Sequence, residues 1–204
     1  MMEKERNNVY KVYDQISEWF DEHRSKELIM EKHYLDLIAQ HIPRGSSILD
    51  VGCGTGEPLA NYFLQQGYDY TGVDASHKMI ERCKKSHPQG LWLLADMRKL
   101  QLEQHFNLVI AWHSFFHLPI EDQPQTLKLM AEFVKPKGLL VFTSGPERGE
   151  VWGNNGCYEL YHASLSFDEY QAILVKNGFE IIEMNVEDPN CGEATVWVTR
   201  KATF

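Results

Sequence analysis

Between Ile48 and Ala60 the chain reads Ile-Leu-Asp-Val-Gly-Cys-Gly-Thr-Gly-Glu-Pro-Leu-Ala, and few folds accept such a segment. Apolar residues ending in an acid predict a short buried strand. Glycines at alternate positions (Gly52, Gly54, Gly56) predict a loop, and an apolar-periodic run then predicts a helix. A parallel strand turning over glycines into a helix N-terminus makes a shelf of backbone N–H groups. A nucleotide-like cofactor can approach that shelf closely, because glycine has no Cβ to block it.

The flanking pattern extends this unit into a sheet. Upstream, Val9, Val12, Ile16 and Phe20, then Leu28, Tyr34, Leu35 and Ile38, recur at helical spacing. They predict two helices broken near Asp21 to Ser25. Strands are expected at Ser47–Val51, Tyr68–Val73, Leu91–Leu94, Phe106–Ala111, Leu139–Thr143, Phe179–Val186 and Ala194–Lys201. Helices are expected at Pro58–Gln66, Ser76–Ser86, Ile120–Val134 and Phe167–Asn177, with Lys135 to Gly138 as a turn. Alternating strands and helices with near-continuous apolar strands predict an α/β fold: a doubly wound, mostly parallel sheet covered on both faces. Only Glu187 to Glu193 separate the last two strands, too short a link for a parallel crossover, so these two form an antiparallel hairpin.

The 204 residues, 43% hydrophobic and 24% charged, suit one soluble domain, with residues 1–42 as a helical cover and 43–204 as the α/β core. A net charge of −9 weighs against nucleic-acid partners. The polar start and the lack of a long apolar run predict no membrane span and a cytoplasmic location. Cys53, Cys83, Cys157 and Cys191 are widely spaced, which predicts reduced thiols and neither a disulfide frame nor a metal site. Oligomeric state has no signature here.

Several linked segments resemble the class I S-adenosylmethionine-dependent methyltransferases. Asp50 to Gly56 is similar to their first motif, Gly72-Val-Asp74-Ala-Ser-His-Lys-Met79 to the second, and Ala95-Asp96-Met97 to the acidic turn after strand three. Phe106 to His117 is similar to the strand-four motif, and Val134-Lys-Pro-Lys-Gly138 to the turn before strand five. The resemblance spans roughly Tyr10 to Lys201 and implies a seven-stranded, Rossmann-like methyltransferase sheet with S-adenosylmethionine as cofactor. By resemblance Asp50 serves the loop amides or the methionine ammonium, and Gly52, Cys53, Gly54 and Gly56 lie against the amino-acid part. Asp74 takes the ribose hydroxyls, Asp96 and the Met97 amide take the adenine edge, and Ala75 and Met79 take its faces. The Ala111 and Trp112 carbonyls hold the ammonium. Each has a plainer reading: Asp50 and Asp74 as turn caps, Asp96 as a helix cap, Met79 as core, and Cys53 as a small filler in preference to a nucleophile. Asn107, where relatives often carry an acid, is expected to matter for packing alone.

A nicotinamide-dinucleotide reductase of Rossmann type is the main alternative, since a glycine loop with a distal acid also describes its fingerprint. Glu57 argues against it, because it occupies the third glycine position, where an anion would face the pyrophosphate. A non-catalytic S-adenosylmethionine-binding protein is the other alternative. For chemistry, His113 and His117 are the candidate bases beside the methyl position, with plain pocket lining as their other role. Tyr13, Trp19 and Phe20 resemble a cover that closes small-molecule members, and also read as an amphipathic helix. Ser144 to Ser164, with Trp152, Tyr158 and Tyr161, reads as a long irregular insert forming the other wall. Together these features predict a small, partly apolar methyl acceptor.

Overall fold

The computed structural model describes residues 5–156 and 158–203, so Cys157 lies outside the described residues. Strands β1 (Ser47–Val51), β2 (Asp69–Asp74), β3 (Leu91–Leu94), β4 (Phe106–Ala111), β5 (Val134–Ser144), β8 (Phe179–Asp188) and β9 (Ala194–Lys201) form one seven-stranded sheet. Its order is β3-β2-β1-β4-β5-β9-β8. The first five pair in parallel; β9 runs antiparallel to β8, as the short link between them requires, and inserts antiparallel beside β5. Helices α4 (Leu59–Gln65), α5 (His77–Ser86), α6 (Gln123–Glu132) and α7 (Phe167–Lys176) connect the strands.

Strand residues alternate between two cores. Ile48, Leu108, Ile110, Val141 and Val198 face Ile38, Phe63 and Ile80 on one side. Leu49, Val109, Leu140, Phe142 and Trp197 face Leu127, Met130, Tyr170 and Leu174 on the other. Both sheet faces are therefore covered, which is why these strands read as unbroken apolar runs. Winding proceeds outward from β1 to β3 and then restarts at β4, on the other flank of β1. The crevice above the C-terminal ends of β1 and β4 is the switch point where doubly wound sheets take ligands.

Three local expectations change. The N-terminal segment forms three helices, α1 (Tyr10–Gln15), α2 (Ser17–His23) and α3 (Lys32–His41). Val9, Val12 and Ile16 pack on Leu160 and Ala163, whereas Tyr34, Leu35 and Ile38 pack on the main sheet, so one straight helical path cannot serve both. The segment 144–164 is no irregular insert: β6 (Gly149–Asn155) and β7 (Tyr158–Ser164) pair antiparallel, with Trp152 opposite Tyr161 and Asn155 opposite Tyr158. The chain leaves β6 after Asn155 at Gly156, whose φ of +63° suits a tight hairpin turn. β5 also begins earlier, absorbing Lys135 to Gly138, with a register shift opposite Phe106 and Leu108. There Asn107 Oδ1 accepts from the Ser47 amide and Lys135 Nζ, both at 3.1 Å, at the sheet end remote from the crevice. Cys53, Cys83 and Cys191 are free and buried. No helix among the described residues is long and apolar enough to cross a membrane.

Candidate functional site

The crevice holds a cavity of about 410 Å³. Its floor is the glycine turn, where the Gly52 and Cys53 amides both donate to the Val73 carbonyl and hang the turn on the end of β2. Gly52 and Gly54 have φ of +80° and +54°, a region costly for residues with a Cβ. A Cβ on Gly52 would stand 2.4 Å from Ser114 Cβ, whereas one on Gly54 would meet nothing nearer than Phe20 at 3.8 Å. Gly52 is thus required by packing, and Gly54 keeps cavity space open. Cys53 is buried and also lines the cavity. Burial pushes its thiol well up, and Cys83 Sγ donates to the Gly54 carbonyl at 3.1 Å.

Three acids end three successive strands or their turns. Asp50 is 2% exposed; one carboxyl oxygen accepts from the Tyr70 hydroxyl and the other, Oδ1, has no partner. Burial pushes its pKa up to about 7. Asp74 accepts from the Gly54 amide at 2.9 Å and the Ser76 amide at 2.8 Å. Burial raises its pKa, with those amides opposing. Each of its oxygens keeps a second lone pair for a ligand hydroxyl. Asp96 caps the 3₁₀ turn Met97–Lys99 through the Arg98 amide and grips the Arg98 guanidinium at 2.5 Å. Burial would raise its pKa, and Arg98 outweighs burial and holds it below the usual carboxylate range.

Ala75, Met79, Met97, Trp112 and Gly56 also line the cavity, but Ala111 does not. Strand alternation turns the Ala111 side chain into the core on the opposite face. Glu57 lines the cavity with its Oε1 3.1 Å from buried His87 and its Oε2 without a hydrogen-bond partner.

His113 and His117 both reach the cavity. His117 Nδ1 lies 2.8 Å from the Tyr161 carbonyl, which can only accept, so this nitrogen carries the hydrogen. Nε2 is then the acceptor for the Tyr13 hydroxyl at 2.9 Å. Burial holds His117 down to about 3 and His113 to about 4, so both are neutral at pH 7. His113 has φ +49°, with its amide donating to Thr143 Oγ1.

The N-terminal cover docks over the cavity at several points. Besides Tyr13 on His117, Asp14 accepts from Ser76 Oγ at 2.7 Å, and Arg98 donates to the Asn7 carbonyl at 2.9 Å. Tyr13 and Phe20 line the cavity in edge-to-face contact at 5.3 Å. Trp19, Trp152, Tyr158 and Tyr161 do not line the cavity and pack instead in the cluster between cover and hairpin. Trp19 stacks on His23 and meets Tyr158 edge-on, Trp152 meets Tyr161, and these rings join cover to hairpin.

Sequence reasoning missed Arg24 and placed Phe116 and His162 only within longer segments, the strand-four motif and the expected second wall; all three line the cavity. Arg24 follows α2 in extended backbone and makes two long bonds, to the Glu57 carbonyl at 3.4 Å and Glu31 at 3.3 Å. Its place directly after an amphipathic helix was the available signal. His162 neighbours Tyr161 in a strand that was read as loop. Among the described residues, no cluster of histidine, cysteine or carboxylate side chains is arranged to hold a metal.

A switch-point cavity floored by a glycine turn, with acids at successive strand ends, defines a doubly wound, cofactor-binding α/β protein. Residues 20–183 match a family model described as a methyltransferase domain, and the chain belongs to that family. It is 31% identical over 108 residues to the dTDP-3-amino-3,4,6-trideoxy-alpha-D-glucopyranose N,N-dimethyltransferase of Streptomyces venezuelae. It is 30% identical over 115 residues to the malonyl-[acyl-carrier protein] O-methyltransferase of Pseudescherichia vulneris. These matches take in 52% and 53% of this chain but only 45% of either relative. The fold is similar to magnesium protoporphyrin IX methyltransferase from Synechocystis PCC 6803, solved with bound SAM. The TM-score is 0.74 at 17% identity, covering 99% of this chain and 100% of that one.

Proposed function

We propose that this chain transfers a methyl group from S-adenosylmethionine to a small, partly apolar acceptor. The observation that carries the reading is a set of buried polar atoms without partners beside the glycine turn: Asp50 Oδ1, Thr55 Oγ1 and Glu57 Oε2. Each such orphan costs about 1–3 kcal/mol, and a ligand ammonium set among two carboxylates would offset that cost. Arg24 offers unused guanidinium donors to the matching carboxylate. Asp74 and Asp96 then suit the ribose and the adenine edge, and Ala75, Met79 and Met97 give the purine apolar walls. When bound, the cofactor supplies an electrophilic methyl on a cationic sulfur. The chain supplies position and dryness: Tyr13 and Phe20 close the cavity, and His117 fixes Tyr13 by accepting a hydrogen bond from its hydroxyl.

The cover (1–42) and core (43–204) act in this reading as one domain. A dinucleotide fits poorly, since its pyrophosphate would meet Asp50 and Glu57. Calorimetry with S-adenosylhomocysteine and with NADH tests the choice: binding of the first alone is expected, and binding of NADH alone would overturn it. Transfer of labelled methyl into a small-molecule extract separates an enzyme from a non-catalytic binder.

Arg24 provides a sharper check. Removing it alone would strand Glu31, which is 2% exposed, so both charges are removed together. Arg24→Gln with Glu31→Gln is expected to weaken S-adenosylhomocysteine binding by about tenfold to a hundredfold, the loss of charge-assisted bonds. Unchanged affinity by calorimetry would remove Arg24 from the site.

A further inference from the structure

A second cavity of about 450 Å³ lies between the β6–β7 hairpin and the turn joining β8 to β9. It shares His113, Phe116, His162 and Gly192 with the cofactor cavity, so these residues form the partition between the two. The rings of the partition are in contact: Phe116 lies 5.3 Å from His162 and 6.0 Å from His113. His113 Nε2 lies 3.9 Å from the Cys191 thiol, and among the described residues Nδ1 has no hydrogen-bond partner at this boundary. Its left-handed backbone, uncommon outside glycine, is held by Thr143 and aims the imidazole into the partition.

The rim of this groove has one sign of charge. Glu147, Glu150 and Glu193 line it, and no lysine or arginine does. Glu150 is neutralised by Arg6 at 2.7 Å, and the neighbouring Arg148 is held by Glu169. Glu147 and Glu193 are exposed and have no ion pair among the described residues. The deep end carries no formal charge, only an aromatic ring and imidazoles that burial keeps neutral. An anionic acceptor would be repelled at the rim. A cation would be drawn to it and then lose the solvation that favours its charge as it moves inward.

We propose that this groove is the acceptor's entrance and that it takes an amine. Glu147 and Glu193 hold the amine as an ammonium at the rim, and it passes His113, Phe116 and His162 as the neutral base. The proposal rests on the methyltransferase reading and names the acceptor class for that site. The ammonium releases one proton to water as it leaves the rim. The nitrogen lone pair then forms the N–C bond to the methyl carbon, while the S–C bond breaks and its electron pair stays on sulfur as a neutral thioether. The methylated ammonium loses its second proton after release. A neutral imidazole at His113 accepts a hydrogen bond from the amine N–H and so turns the lone pair toward the methyl group.

The test uses the full chain saturated with S-adenosylhomocysteine for binding, and with labelled S-adenosylmethionine for turnover. The probes are phenethylamine, cyclohexylamine and glucosamine, set against phenylpropionate, cyclohexanecarboxylate and gluconate. Binding and methylation of at least one amine, with none of the carboxylates, is expected. Glu147→Lys with Glu193→Lys should raise the Kd and KM of that amine by about tenfold, leaving kcat and S-adenosylhomocysteine affinity unchanged. Methylation of a carboxylate in preference, failure of every amine to bind the loaded protein, or an unchanged Kd in the charge-reversed variant overturns the proposal. Failure of the unmodified chain to bind S-adenosylhomocysteine would instead sink the underlying methyltransferase reading.

Discussion

Gly54→Val is expected to cut S-adenosylhomocysteine affinity by more than a hundredfold while the protein stays folded. Valine at φ +54° carries a backbone cost of about 1–3 kcal/mol, within the stability of an ordinary domain. Its Cβ meets no protein atom within 3.8 Å, so its bulk enters the cavity and not the core. Gly52→Ala should behave differently. Its Cβ would fall 2.4 Å from Ser114 Cβ and 2.7 Å from Ser114 Oγ, which is itself committed to the Val51 carbonyl at 2.6 Å. Ser114 is buried and cannot swing away, so a loss of about 3 kcal/mol or more is expected, from overpacking added to left-handed strain. Urea midpoints and calorimetric titrations of the two variants separate the effects. Equal stability losses would refute the distinction between a packing glycine and a cavity glycine.

The second large effect concerns Asp50 and pH. Burial raises its folded-state pKa to about 7, against about 3.9 for an exposed aspartate. The folded chain therefore binds this proton more tightly than the unfolded chain does. The associated stability is complete below about pH 4 and is lost as pH rises through about 7, amounting to about 4 kcal/mol at 1.36 kcal/mol per unit. Asp74, also raised by burial, adds in the same direction. Asp14 and Asp96 are lowered, so their contributions are lost only as pH falls through the acid range. Ligand binding should show the reverse trend to stability, because an ammonium prefers the ionised Asp50. S-adenosylhomocysteine affinity is expected to increase from about pH 6 to about pH 8. Asp50→Asn should flatten both profiles and weaken binding by about tenfold to a hundredfold, with an amide N–H₂ turned toward the ammonium. Denaturation series at several pH values read the first profile and calorimetry the second. A wild-type stability independent of pH across this range would contradict a buried, proton-binding Asp50.

Much of the fold was legible because its signals are local. Each parallel strand is apolar on both faces, and the link from Glu187 to Glu193 is too short for anything but an antiparallel return. The acids of the site were legible for the same reason, since each stands at the end of a strand or in the turn after it. The hairpin of residues 149–164 was read as irregular because glycines and aromatics suggested a loop. Its pairing depends on the chain reversing after Asn155, where Gly156 takes positive φ, and on α1 covering β7. Arg24 carried no motif of its own, and although Phe116 and His162 sat within segments expected at the pocket, packing alone decides that these particular side chains line it.

The glycine turn and the strand-end acids were determined by the sequence itself. Easy access to positive φ is a property of glycine itself, and a strand end lies where its apolar run stops. Tertiary structure alone decided the partners. Tyr13 meets His117, Asp14 meets Ser76 and Arg98 meets Asn7 across separations of 104, 62 and 91 residues. No periodicity encodes such distances; they follow from how the cover settles on the hairpin and the sheet. The same packing sets the burial that neutralises His113 and His117 and raises Asp50. Protonation here is a consequence of desolvation, which exists only once the chain has folded.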